Sequence, residues 1–123
     1  MAKIAIIVLS STEVPESHGR LIHALMDGKA LQDAGHDIKL VFEGTGVTWL
    51  QAFHIREHPV TKGYGAEFDT LRPHILGACD FCTTQRFKVQ DDANALGIPL
   101  LGGDGHHFNV SELVAEGYQV VNY

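Results

Sequence analysis

Short apolar runs recur along this chain, separated by polar loops and by stretches with helical spacing. The runs are Ile4–Leu9, DIKLVFEG at 37–44, HILGAC at 74–79, IPLLGG at 98–103 and YQVVNY at 118–123. A run such as IAIIVL, with no polar alternation, suits a strand covered on both faces. Between the runs, Leu21, Ile22, Leu25 and Met26 recur at helical spacing, with Ser17 as candidate cap and Gly35 at the stop position. A shorter helix is expected over Val47 to Phe53, and a longer one over CTTQRFKVQDDANAL, with Val89, Ala93 and Leu96 facing inward and Gly97 ending it. NVSELVAEG opens with a capping-box pattern, Asn109 followed by Glu112. The segment 54–73 holds Pro59, Gly63, Gly65 and Pro73 and reads as loop with at most one helical turn. Five strands alternating with four helices predict an α/β fold of three layers, α/β/α. Its five-stranded sheet is mainly parallel and flavodoxin-like in outline.

At 123 residues the chain forms one domain, 1–123, large enough for a single core. It is 45% apolar and 20% charged, an ordinary globular profile. A net charge of −6 and the absence of basic runs argue against a nucleic-acid surface or polybasic membrane contact. No stretch approaches the ~20 apolar residues of a membrane span. IAIIVL is too short for an export signal, so the expected compartment is the cytoplasm, with reduced thiols.

In such sheets chemistry gathers at the carboxyl ends of the strands. Loops 10–17, 43–48, 79–82 and 102–109 occupy that rim. One of them holds both cysteines, in GACDFC, with C-x-x-C spacing. Three readings of Cys79 and Cys82 are open. A metal site needs further ligands, and His106 and His107 are candidates, although adjacent histidines rarely point the same way. Two thiols without placed partners make a poor site, so no metal is expected. The second reading is a pair of small buried residues, since free cysteine packs well. The third is a reactive pair. A thiol at a helix start feels unpaired N–H groups and the positive dipole end, Arg86 adds positive potential, and Asp80 opposes both. The strand-end position of Cys79 is expected to face the rim and give it the better access.

The chain resembles the DsrE-like family, small α/β proteins related to sulfur-relay subunits. KIAIIVLSS, GHDIKLVFEGTGV, GACDFC and VSELVAEGYQVVNY carry the resemblance over nearly its whole length. Cys79 matches the sulfur-bearing cysteine and Arg86 a following arginine, while Phe87 stands where relatives have glycine. The resemblance implies a persulfide carrier with sulfur donor and acceptor proteins as partners, no cofactor, and Cys82 as a resolving thiol. His18, His106 and His107 are rim groups placed by sequence to supply a proton or hold an anionic persulfide. A homo-oligomer is expected from the family and from Trp49, Phe53 and Tyr64, aromatics in a region with little core pattern. Two other classes remain open. One is a non-enzymatic binding or regulatory subunit with Trp49 and Phe53 as its contact surface. The other is an FMN-binding protein using SSTEVPESHGR, where Glu13 and Glu16 oppose a phosphate.

Overall fold

The computed structural model describes residues 1–123. Five strands form one all-parallel sheet: β1 (Lys3–Val8), β2 (Asp37–Phe42), β3 (Ile75–Cys79), β4 (Leu100–Leu101) and β5 (Gln119–Asn122). Their order is β4-β3-β2-β1-β5, within a three-layer α/β/α arrangement. β1 and β2 pair in step from Lys3 opposite Asp37 to Val8 opposite Phe42. Burial of Ala5 through Val8 explains why that run shows no alternation. The chain steps outward from β1 to β4 and then crosses back to place β5 on the other side of β1. Strand order therefore reverses between β1 and β5, and a crevice opens at the carboxyl ends of such a pair.

Five helices connect the strands: α1 (Pro15–Asp33), α2 (Thr48–Ile55), α3 (Pro59–Leu71), α4 (Gln90–Leu96) and α5 (Ser111–Ala115). α1 begins at Pro15 with Val14 before it, so Ser17 lies buried inside the first turn and is not the cap. The expected capping box does not form: Asn109 Oδ1 accepts from the Ser111 N–H at 3.0 Å, the Glu112 N–H donates to the Asn109 backbone carbonyl, and α5 starts after Val110.

The main difference from the sequence expectation is α3, thirteen residues of helix where loop is expected. Pro59 sits in the first turn, where its missing N–H costs nothing. His58 precedes it, and its Nδ1 accepts from the Val60 N–H at 3.1 Å. The two glycines dilute the pattern without abolishing it. Val60, Tyr64, Phe68 and Leu71 still recur at helical spacing, and the strain appears as a kink at Tyr64.

The expected helix 82–96 is also interrupted. Phe81–Arg86 forms a wide π-turn, in which the Phe87 N–H donates to the Cys82 carbonyl at 3.0 Å. Lys88 then takes a left-handed conformation, and α4 starts only at Gln90.

The large aromatics fill the core. Trp49, Phe53, Phe42 and Phe68 are fully buried, and Phe53 stacks on Phe68 with ring centroids 4.0 Å apart. The Trp49 indole N–H donates to the Ser10 carbonyl at 2.9 Å. Tyr64 is half-buried and packs against the same core. Trp49 and Phe53 are therefore not a contact surface, and their burial gives no basis for self-association. The sequence hides this because α3, which covers them, is not legible as a helix. No helix is long and apolar enough to cross a membrane.

Candidate functional site

The carboxyl rim brings three chain segments together around the thiols. Cys79 closes β3, and its Sγ lies 3.0 Å from Nδ1 of His107. On its far side the His107 imidazole presents Nε2 to Glu43 Oε1 at 2.8 Å. Glu43 follows β2 directly, and His107 belongs to the loop after β4. A carboxylate facing Nε2 keeps the proton on that nitrogen, which leaves the Nδ1 lone pair aimed at the thiol. The row Cys79, His107, Glu43 thus has the form of a nucleophile, a base and the group that orients the base.

Cys82 lies in the π-turn, and the ligating atoms of Cys79, Cys82 and His107 all fall within 4.8 Å of one another. Both cysteines are free, and both are buried. The rim access expected for Cys79 is therefore absent: the residue is 0% exposed and Cys82 is 2% exposed. His107, with 57% of its side chain exposed, is the outer member of the cluster. The sequence places Cys79 correctly at the strand end but does not show that the 102–108 loop folds over it.

Burial pushes the Cys82 thiol up, and its hydrogen bond with Cys79 adds to this. The Gly44 backbone and, more weakly, Arg86 pull the other way. Burial is the largest of these effects, so the net shift of Cys82 is upward, opposite to the lowering expected at a helix start. Arg86 itself is exposed, with its guanidinium 4.8 Å from the Phe87 ring centre. Asp80 is turned aside, its Oδ1 accepting from the Thr84 hydroxyl at 3.0 Å.

The loop after β4 is held in a specific shape. Gly102 has φ +108, and a Cβ there would meet the His106 carbonyl oxygen at 2.3 Å. That carbonyl accepts from the Phe81 N–H at 3.2 Å, tying the loop to the start of the π-turn. His106 thus contributes its backbone, while its side chain is exposed. One residue beyond His107, the Phe108 N–H points at Cys79 Sγ at 3.5 Å. The Glu43 side is equally constrained. Gly46 crosses the end of β1 so closely that a Cβ would lie 2.0 Å from the Val8 carbonyl oxygen.

His18 is not among the groups gathered at the thiols. Its Nε2 lies 2.6 Å from the Thr12 carbonyl, and its ring meets those of His58 and Trp49 edge-on. In the same loop, the Thr12 N–H donates to Thr48 Oγ1 and the Glu13 N–H to Ser11 Oγ. Two of the amides that a phosphate would need are therefore already bonded within the protein.

Of the residues named from sequence, the structure brings Cys79, Cys82 and His107 together. It leaves Arg86 and His106 at the margin and His18 apart. Sequence reasoning missed Glu43, although a carboxylate directly after an apolar strand, on a rim loop, was a usable signal.

A cleft of about 470 Å³ adjoins the cluster at the carboxyl ends of β1 and β5, where strand order reverses. Ile7, Leu9, Val120 and Asn122 line it, with Glu43 and His107 on its thiol side. Comparison with models of known protein families and with curated proteins finds no match to this chain.

Proposed function

We propose that this protein is a cysteine-based sulfur carrier of the DsrE-like kind, with Cys79 as the sulfur-bearing thiol. The observation that carries the reading is the contact of Cys79 Sγ with His107 Nδ1 at 3.0 Å, backed by Glu43 on the other ring nitrogen. Thiolate is the nucleophile in sulfur chemistry, and an adjacent oriented imidazole is a standard means of producing it.

The chemistry is redox-neutral in its first step. His107 takes the Cys79 proton, and the thiolate attacks the outer sulfur of a donor persulfide, R–S–SH. The donor S–S bond breaks, its electron pair leaves with R–S⁻, and Cys79–S–SH remains. An acceptor thiolate then attacks the same outer sulfur, and Cys79 leaves as thiolate. Cys82 offers a second exit. Its thiolate attacks the inner sulfur of Cys79–S–SH, forming the Cys79–Cys82 disulfide and expelling HS⁻, after which an external dithiol reductant restores both thiols. Burial holds the Cys82 thiol above its ordinary value, which favours the first exit, because Cys82 then stays protonated and waits. Since Cys79 is buried, donor and acceptor reach it only when the His107 loop yields.

The test is intact mass spectrometry after incubation with a small sulfane-sulfur donor. The wild type should gain one sulfur atom per chain, Cys79→Ser should gain none, and Cys82→Ser should load and hold its sulfur longer. No gain in the wild type, or an undiminished gain in Cys79→Ser, would return the thiols to a packing role.

A further inference from the structure

The cluster that supports sulfur chemistry has a second property that does not depend on it. Cys79, Cys82 and His107 present two sulfurs and one imidazole nitrogen, all within 4.8 Å of one another. From sequence these thiols lack a placed partner, and the structure supplies one in His107. We propose that the three residues form a Cys₂His site for a soft d¹⁰ cation, Cu⁺ or Zn²⁺, which takes the place of the proton shared between Cys79 and His107.

Four features support this. The donor set is soft, and thiolate with imidazole selects copper(I) and zinc over magnesium or calcium. Metal–sulfur bonds of about 2.3 Å and metal–nitrogen bonds of about 2.0 Å need ligand atoms roughly 3.5–4.0 Å apart in tetrahedral or trigonal geometry. The 3.0 Å contact between Cys79 Sγ and His107 Nδ1 must open by about half an ångström and separations of up to 4.8 Å must close by up to about 1 Å, which His107, on a loop at the surface, is placed to allow. The third feature is the support behind the histidine. Glu43 holds Nε2 at 2.8 Å, the carboxylate–imidazole arrangement that fixes ring and tautomer in metal sites. The fourth is an amide beside the Cys79 sulfur. The Phe108 N–H faces Cys79 Sγ at 3.5 Å, which stabilises the charge that this sulfur carries when it ligates.

Three protein ligands satisfy a trigonal Cu⁺ outright. Zn²⁺ needs a fourth ligand, from water or a small thiol, and two cysteines with one histidine and an open position is a known catalytic zinc set. In either case the cation uses the Cys79 lone pair, so a loaded site cannot accept sulfur. Metal occupancy and sulfur loading are mutually exclusive.

The site is tested by anaerobic titration of the reduced protein against competing chromophoric chelators, bicinchoninate for Cu⁺ and a pyridylazo dye for Zn²⁺. One cation per chain should be withdrawn from the dye. Cys82→Ser and His107→Ala should each weaken binding at least about a hundredfold, and Glu43→Gln by about ten- to a hundredfold. The chelator that loses its ion identifies the cation. Circular dichroism of each variant separates lost ligation from lost folding, and Glu43→Gln removes no ligand. Failure to compete with either dye, or competition unchanged in all three variants, overturns the site. Sulfur loading by mass is read on metal-free protein, so failure of the metal site leaves the sulfur reading standing, and the reverse also holds.

Discussion

Two clusters of chemically capable side chains share the carboxyl rim of this sheet, and they differ in where their hydrogen bonds go. In one, His18 and His58 both turn Nε2 to the Thr12 carbonyl, at 2.6 and 3.0 Å, and His58 Nδ1 accepts from the Val60 N–H. Every one of these bonds ends on backbone, and Trp49 closes the cluster from the core side. In the other, Cys79, His107 and Glu43 bond mainly to one another, through groups that exchange protons. Residue type does not separate the two clusters, since histidine is central to both. The partners do. A histidine bound to backbone holds a loop and a helix start in place, whereas one between a thiol and a carboxylate can move a proton.

Both clusters depend on the segment after β2, which makes Gly46 the position of largest expected effect. Glu43 serves the thiols, and Thr48 and Trp49 serve the histidine cluster. In Gly46→Ala the new Cβ meets the Val8 carbonyl and cannot be accommodated without moving backbone. We expect a loss of about 3 kcal/mol or more in denaturant unfolding, at the upper end of overpacking costs. A loss under about 1 kcal/mol would mean that the two regions are not joined here.

Next in size is His58→Ala, which removes a cap and a tie to the 10–14 loop. Stability should fall by about 1–2 kcal/mol by chemical denaturation, in the range of lost helix caps. Sulfur loading of the folded fraction should not change. A selective loss of loading with stability intact would erase the distinction between the clusters.

Within the thiol cluster, pH ranks the two cysteines. Burial and the hydrogen bond with Cys79 raise the Cys82 thiol above its usual value, so the neutral form is the one the fold favours. Cys82 should therefore resist alkylation at neutral pH and become reactive only above about pH 9, the ordinary thiol region. Peptide mapping after iodoacetamide labelling at pH 7 and pH 10 reads this directly. Faster labelling of Cys82 than of Cys79 at pH 7 would reverse their roles.

The smallest expected effect lies away from both clusters. Tyr118 donates to Asp37 Oδ2 at 2.9 Å, and burial, then that hydrogen bond and the Asp37 charge, push its phenol up to about 12. The fold favours neutral phenol, so this contribution is complete below the unfolded value of about 10 and is lost as pH rises from there to about 12. Thermal melts should show a decline over that window, and Tyr118→Phe should make it shallower without altering thiol reactivity, while Tyr123, raised by burial and its hydrogen bond to Asp27, keeps a decline of the same sign.

The sheet was legible in the sequence because strands buried on both faces leave unbroken apolar runs, as in Ala5–Val8. α3 was not, because Pro59, Gly63 and Gly65 are usual loop signals. Only the helix that covers Trp49 and Phe53 shows that those aromatics are core and not interface. The thiol pair was visible from C-x-x-C at a strand end. Its partner Glu43 lies thirty-six residues before Cys79 and His107 twenty-eight after it, and nothing local links them. The shielding of Cys79 depends on how the 102–108 loop folds, a tertiary fact that residue order does not carry.

The central claim is that His107 acts as the base for Cys79. The most direct measurement is the iodoacetamide alkylation rate of Cys79 at pH 7, taken in Cys82→Ser and again in Cys82→Ser with His107→Gln. Glutamine keeps much of the bulk over the thiol and removes the basic nitrogen, so access changes less than proton transfer. The account predicts labelling about tenfold slower or more in the glutamine variant, a floor set below the roughly 10²–10⁴-fold that general acid–base catalysis typically contributes. Equal or faster labelling would show that His107 only covers Cys79, and the proposed sulfur chemistry would lose its base.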